Sequence, residues 1–298
     1  ESVGYQIRFD NCTSASTRLV YCTTAVLVRR LHLDPLLSKI AVLIIDEVHE
    51  RDLITEFLLL VVKARLCTMQ NLKVVLMSAT LSAETFRDFF YPEPRILCIE
   101  GRAFEVNEVF LEEALQWTGH AVQGSGHVPP MSVNAMRARA PYWCSEAILR
   151  SLCCWRGREV LVDLIADVLT TIDATAAPRD GRRGAVLVFV PGFQDIQAIS
   201  NALHPYPELY VLPLHSMLAP DQQKQVFEPA PSGQRKVILS TDIAETSVTI
   251  DDVDFVVNSG VAKERIHDPL SGHGDLEIAP NTRANVDQRR GRAGRLRE

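Results

Sequence analysis

Near the C-terminal end of the sequence stands Gln288-Arg289-Arg290-Gly291-Arg292-Ala293-Gly294-Arg295. Arginines recur there at every third or fourth position, separated by Gly and Ala, which predicts several guanidiniums on one face of a short helix. A guanidinium stays charged and grips phosphate oxygens bidentately. Two of them converging on a transferred phosphate make the arginine-finger arrangement of phosphoryl transfer, although a basic surface patch has the same composition. Three earlier segments favour the phosphate chemistry: Asp46-Glu47-Val48-His49, Ser78-Ala79-Thr80 and Ser240-Thr241-Asp242-Ile243-Ala244-Glu245-Thr246-Ser247. Asp46 and Glu47 close an apolar run, and the carboxyl end of a strand is where α/β folds place ligand sites. One or two carboxylates suffice for Mg²⁺, a hard ion that keeps several of its waters. An Asp-Glu pair after a strand is also an ordinary helix-start signal.

The elements that must position these residues follow from the hydrophobic pattern. Ile40 to Asp46 reads as a strand covered on both faces, because continuous apolar runs belong to such strands. Leu53 to Leu66 reads as a helix, Lys73 to Met77 as a strand, Ser82 to Phe90 as a short helix stopped by Pro92 and Pro94, and Ile96 to Ile99 as a further strand. Residues 119–132 are rich in Gly, Ser, Pro and His, as in a linker or insertion, and residues 133–158 have no clear period. Val160, Leu161, Leu164, Ile165, Val168, Leu169 and Ile172 share one helical face. A second alternating set follows: strand Ala185 to Val190, helix Asp195 to Leu203, strand Tyr210 to Leu214, helix Asp221 to Phe227, and strands Lys236 to Thr241 and Val253 to Asn258. Ala262 to Pro280, with Asp268-Pro269 and Ser271-Gly272 at its turn, reads as a β-hairpin. Strands alternating with amphipathic helices imply parallel sheets with crossover helices.

The bulk properties narrow the function classes. The 298 residues are enough for two domains with their own cores, and the formal net charge of −6 gives no global positive field to recruit nucleic acid. Any nucleic-acid site must therefore be built locally from a few Arg, hydroxyl and backbone N–H groups. No apolar run is long enough to span a membrane. The seven cysteines form no CxxC pair; their odd count and irregular spacing argue for reduced thiols in a cytoplasmic or nuclear compartment.

Taken together, the Asp46-Glu47-Val48-His49, Ser78-Ala79-Thr80, Ser240 to Ser247 and Gln288 to Arg295 segments resemble the DEAH/DExH-box RNA helicases of superfamily 2. The resemblance implies two tandem RecA-like parallel-sheet domains with a cleft between them. The first, N-terminally truncated, would span residues 1–104 and the second residues 159–298, with a connecting strand, linker and insertion over 105–158. It implies ATP or another NTP with Mg²⁺ at Asp46 and Glu47, and Glu47 as general base. His49 would relay to Gln288, which holds the attacking water, while Arg292 and Arg295 reach the γ-phosphate. Phe227 would stack on the base, where an isolated reading makes it a core Phe at a helix end, and Ser247, Thr249 and Asp251 would lie near the ribose. Ser78 and Thr80 would transmit the state of the acidic site. Single-stranded RNA would be met through its backbone by Arg8 and Thr23 on the first lobe and by Ser216 and Thr241 on the second. The hairpin would act as a wedge in the RNA path, where a plain surface hairpin reads equally well. The family's activity is 3′–5′ translocation with RNA or ribonucleoprotein remodelling, and protein cofactors are expected partners.

The sequence also departs from the family. Ala25 stands where Gly is usual, and Asp242 where Asn is more frequent; an acid beside phosphates is unfavourable unless something satisfies it. No G-x-x-x-x-G-K-S/T occurs, so the backbone cradle and Lys that hold the β- and γ-phosphates are expected upstream of Glu1. These features predict a motor fragment that binds ATP poorly by itself. The alternative is a catalytically decayed RNA-binding or scaffold protein of the same ancestry.

Overall fold

The computed structural model describes residues 2–69, 71–78, 83–90, 94–99, 104–122, 132–155, 157–178, 183–246, 248–267 and 274–295. The chain divides into two compact units, residues 1–100 and 101–298.

In the first unit, β1 (Val3–Ile7) pairs antiparallel with β2 (Asp10–Cys12) and parallel with β3 (Leu19–Cys22), giving the order β2-β1-β3. Helix α1 (Thr24–Leu33) follows, and β4 (Val42–Ile45) pairs parallel with β5 (Lys73–Leu76). Between those strands lies α2 (Leu53–Arg65), capped by Asp52, whose Oδ1 accepts the N–H groups of Ile54 and Thr55 at 3.0 and 3.1 Å. This satisfies two of the donors that a helix start leaves open. Helix α3 (Ala83–Phe89) completes the unit.

The strand expected to be covered on both faces is covered on one. Leu43 and Ile45 of β4 are buried with Leu27 and Leu31 of α1 and Leu58, Leu59 and Val62 of α2. Val42 and Ile44, on the opposite face, are 48% and 50% exposed. Strand residues alternate between faces, and both helices contribute to the same side. The strand expected over Ile96 to Ile99 is also absent: residues 94–99 form no regular element, and Leu97 and Ile99 are exposed. Without a pairing partner among the described residues, an apolar run there has no ladder to join.

The second unit opens with a helical layer. Residues 133–158, aperiodic in sequence, supply α5 (Val133–Arg137) and α6 (Glu146–Cys154), which pack with α4 (Leu111–Thr118) and α7 (Val162–Thr175) around Leu115, Cys144, Ile148, Leu149, Leu152 and Leu164. Next come β6 (Ala185–Phe189), α8 (Phe193–Leu203), β7 (Leu209–Leu214), α9 (Pro220–Lys224), β8 (Arg235–Ser240), α10 (Ile243–Thr246) and β9 (Val253–Asn258). The four strands form a parallel sheet in the order β7-β8-β6-β9. Here the burial is two-sided. Val186, Val188, Val237 and Leu239 meet α7 and α8, while Ala185, Leu187, Phe189 and Ile238 meet Val226, Ala244 and Ile250 on the other face. The arms of the hairpin, β10 (Val261–His267) and β11 (Gly274–Pro280), pair antiparallel from Val261 opposite Pro280 to His267 opposite Gly274; the turn residues 268–273 lie outside the described residues. Helix α11 (Arg283–Arg290) begins at Thr282, whose Oγ1 accepts the Asn285 N–H at 3.2 Å.

Candidate functional site

The acidic residues of the first unit sit where β4 ends. Asp46 is exposed and Glu47 half-buried. Asp46 Oδ1 accepts the Glu47 N–H at 2.9 Å, and Glu47 Oε2 lies 3.4 Å from His49 Nδ1. A short 3₁₀ turn, Val48–Glu50, is bracketed by Glu47 at φ 52° and Arg51 at φ 54°. Non-glycine residues seldom adopt that left-handed region, and such strain gathers at functional sites. The turn is tied to β5 as well: Met77 N–H donates to Ile45 O at 2.9 Å, and Val48 N–H to Met77 O at 3.1 Å. Ser78, the next residue, is therefore one peptide from the bonds that hold the acidic turn; Ala79 and Thr80 lie outside the described residues. The structure brings Asp46, Glu47 and His49 together and anchors Ser78 beside them. Two carboxylates at an open strand end fit Mg²⁺, which takes one or two protein ligands and keeps waters. No cluster of three or more His, Cys, Asp or Glu that could hold a metal occurs among the described residues.

The arginines of the second unit do not share one helical face. Helix α11 ends at Arg290, and Arg292 and Arg295 lie in the turns after Gly291. The four guanidiniums diverge because each finds a different acceptor. Arg289, only 1% exposed, donates from Nε to Glu245 Oε2 at 2.7 Å, from Nη1 to Asn258 Oδ1 at 2.9 Å and from Nη2 to Asp242 Oδ1 at 2.6 Å. Its guanidinium carbon also lies 4.8 Å from the centre of the Phe189 ring. Arg290 pairs with Glu108 at the surface. Arg292, 8% exposed, donates to the main-chain carbonyls of Glu245 and, at 3.0 Å, Val248. Arg295 is exposed and donates to Thr249 Oγ1 at 2.8 Å. Arg292, Arg295 and Thr249 thus meet at the 245–249 segment, where a narrow crevice is lined by Val248, Ile250, Arg292 and Arg295. Gly294 is required by close approach: a Cβ there would stand 2.6 Å from Phe104 O, and the Phe104 N–H donates to Gly294 O at 2.9 Å.

Arg289 was not singled out from the sequence, although the acids that receive it, Asp242 and Glu245, lie in the neighbouring motif. It gives Asp242 a partner that the sequence did not reveal. The Asp242 carboxyl is nonetheless raised above its ordinary pKa, because burial pushes it up and Glu245 adds to the rise, against the downward pull of Arg289.

The remaining predicted residues are spread over both units. Phe227 ends a 3₁₀ turn, Gln225–Phe227, with its side chain 56% exposed, which sets aside the reading as a core Phe. Asp251 is exposed in the turn before β9, Gln288 is half-buried in α11, and Ser247 lies outside the described residues. Thr23 is exposed at the start of α1, where its side chain makes no capping bond. Arg8 is exposed in the turn after β1, beside Phe9, whose ring centre is 4.8 Å away. Ser216 is exposed after β7, and Thr241, half-buried, follows β8.

Residues 162–297 match the model of the helicase conserved C-terminal domain. Across 99% of its length the chain is 37% identical to a human protein described as putative ATP-dependent RNA helicase DHX57, of which it covers 25%. It is 36% identical to the Arabidopsis thaliana DExH-box ATP-dependent RNA helicase DExH1, again over 99% of the chain and 32% of that relative. The chain therefore spans about a quarter to a third of these relatives' length. Among solved structures, the Escherichia coli DExH-box NTPase HrpB superposes with a TM-score of 0.69 at 29% identity, covering 100% of this chain and 31% of that one. No helix among the described residues is long and apolar enough to cross a membrane. With the motifs in the family's order and two α/β units of the corresponding fold, the chain carries a helicase conserved C-terminal domain and is homologous over nearly its whole length to DEAH/DExH-box RNA helicases.

Proposed function

We propose that this chain carries the acidic and arginine halves of an ATP-dependent RNA helicase motor. In this reading its residues 1–104 and 159–298 are the two RecA-like domains, joined by residues 105–158. Two observations support it, one in each unit: Asp46, Glu47 and His49 stand together at the end of β4, and Arg292, Arg295 and Thr249 gather at the 245–249 segment. Asp46 and Glu47 would hold Mg²⁺, which would supply positive charge to the phosphate oxygens. Glu47 accepts the proton of the attacking water, Gln288 orients that water, and His49 keeps the Glu47 carboxylate aimed. Arg295, exposed and lightly held, meets the γ-phosphate. Arg292 joins it by exchanging the carbonyls of Glu245 and Val248 for phosphate oxygens. Phe227 stacks on the base, with Ser247, Thr249 and Asp251 toward the ribose.

RNA is held through its backbone by Arg8, Thr23, Ser216 and Thr241, and Ser78 and Thr80 link that grip to the acidic site. Repeated hydrolysis then moves the motor 3′ to 5′ and remodels RNA or ribonucleoprotein, with protein cofactors directing it. The test uses the natural protein, with whatever sequence flanks these residues in the cell. Glu47→Gln is expected to lower RNA-stimulated ATP hydrolysis by about 10² or more while RNA affinity stays within twofold. Unchanged hydrolysis would sink the Glu47 assignment, whereas a parent protein with no RNA-stimulated hydrolysis would favour the second reading, an RNA-binding protein of helicase ancestry.

A further inference from the structure

Lys236 is a buried charge for which the proposed chemistry has no role. It stands inside β8 with its side chain 2% exposed. A lysine ammonium carries three donors, and burying it is costly unless it is paired and hydrogen-bonded. Three acceptors surround it. Nζ donates to Val226 O at 2.8 Å and to Glu228 O at 3.0 Å, and it pairs with Asp252 Oδ2 at 2.8 Å.

These acceptors mark the rim of the nucleotide subsite from two sides. Val226 and Glu228 flank Phe227, and fixing the carbonyls on both sides of a residue fixes its backbone and the Cα–Cβ bond from which its side chain projects. Phe227 is 56% exposed, so the place its ring occupies depends on where the backbone of this turn is held. Asp252 directly follows Asp251 in the turn that leads from Thr249 to β9. A single ammonium therefore ties the turn carrying Phe227 to the turn carrying Asp251. We propose that Lys236 is the positioning residue of the base-and-ribose subsite, holding those two turns at the separation that a nucleoside requires. The assignment rests on the reading of Phe227 as the base-stacking residue.

The test is a double-mutant cycle in the natural protein, with affinity for mant-labelled ATP read by fluorescence titration and single-stranded RNA affinity read by anisotropy. Phe227→Ala is expected to weaken nucleotide binding about tenfold, roughly 1.4 kcal/mol. Lys236→Met is expected to do nearly the same, to add less than twofold on the Phe227→Ala background, and to leave RNA affinity within twofold. Lys236→Gln, which keeps donors at similar volume, serves the same cycle if Lys236→Met fails to fold, with a smaller loss. Losses that add in full, or an equal loss of RNA affinity, would reduce Lys236 to a structural charge and overturn the proposal. A Phe227→Ala protein that binds nucleotide as the parent does would refute the base-stacking reading first, and the role of Lys236 would fall with it.

Discussion

The candidate acidic residues of the first unit stand at the end of β4, a strand covered on one face, whereas the candidate arginines of the second unit are anchored to a sheet covered on both. The sequences Val-Leu-Ile-Ile and Ala-Val-Leu-Val-Phe are nearly equally apolar, yet Val42 and Ile44 are about half exposed while every residue of β6 is buried. Burial belongs to the neighbours as much as to the residue. The two sets are held differently as well. Asp46 and Glu47 depend on a strained turn and one imidazole, while Arg289 and Arg292 are fixed by buried acceptors. The first arrangement leaves carboxylates open to a cation. The second buries Arg289 among Glu245, Asn258 and Asp242 and leaves Arg295 exposed, bonded to Thr249.

That division predicts unequal responses to mutation. Arg295→Ala removes an exposed guanidinium with one described hydrogen bond, so thermal stability should barely change while hydrolysis falls by about 10³ or more; a melting curve and a turnover assay on one sample test both. Arg289→Met should do the reverse. It leaves Glu245, and in part Asp242, as an uncompensated charge, and breaking such a buried pair costs about 3–5 kcal/mol, read by urea denaturation of the second unit.

The first unit should respond more mildly. Asp52→Ala loses the cap of α2, worth about 1 kcal/mol. The Asp52 carboxyl resists burial, which pushes it up, but the Thr55 hydroxyl and the N–H groups of Thr55 and Ile54 hold it below its ordinary value. A depressed carboxylate stabilises the fold above its unfolded pKa of about 3.9 and loses that contribution as pH falls through the lower folded value. The difference between parent and Asp52→Ala should therefore shrink below about pH 4; a difference that grew in acid would refute the cap's charge. Asp242→Asn should have the smallest effect. Arg289 already offsets this acid, so removing the charge should tighten single-stranded RNA binding by no more than a few fold at low salt, as measured by anisotropy.

Periodicity made the second unit legible, because strands buried on both faces and an amphipathic α7 write their roles into the sequence. The motifs grouped Arg292 with Arg295 and set Thr249 apart, near the ribose, whereas in the structure Arg295 donates to Thr249. The exposed face of β4 was not legible, since an apolar run does not say what will cover it. Helix α6 was obscured by its paired Cys153 and Cys154 and by the Trp143 and Trp155 on either side of it, although Ile148, Leu149 and Leu152 have helical spacing. The divergence of the arginines was also hidden. Spacing fixes where a side chain starts, while Glu245, Asp242, Glu108 and the carbonyls of Glu245 and Val248 decide where it goes. Lys236 gave no signal, because a lysine inside a strand reads as an exposed position until its three acceptors are seen.

In the proposed reaction Glu47 and Arg295 serve a single chemical step. That joint role is tested most directly by single-turnover ATP hydrolysis in the natural protein carrying Glu47→Gln, Arg295→Ala or both. Residues that act as a unit are strongly non-additive. Each single change should slow the step by about 10² or more, and the double variant should be less than about tenfold slower than the worse single one. Losses that multiply in full, or a Glu47→Gln protein that turns over as the parent does, would contradict it.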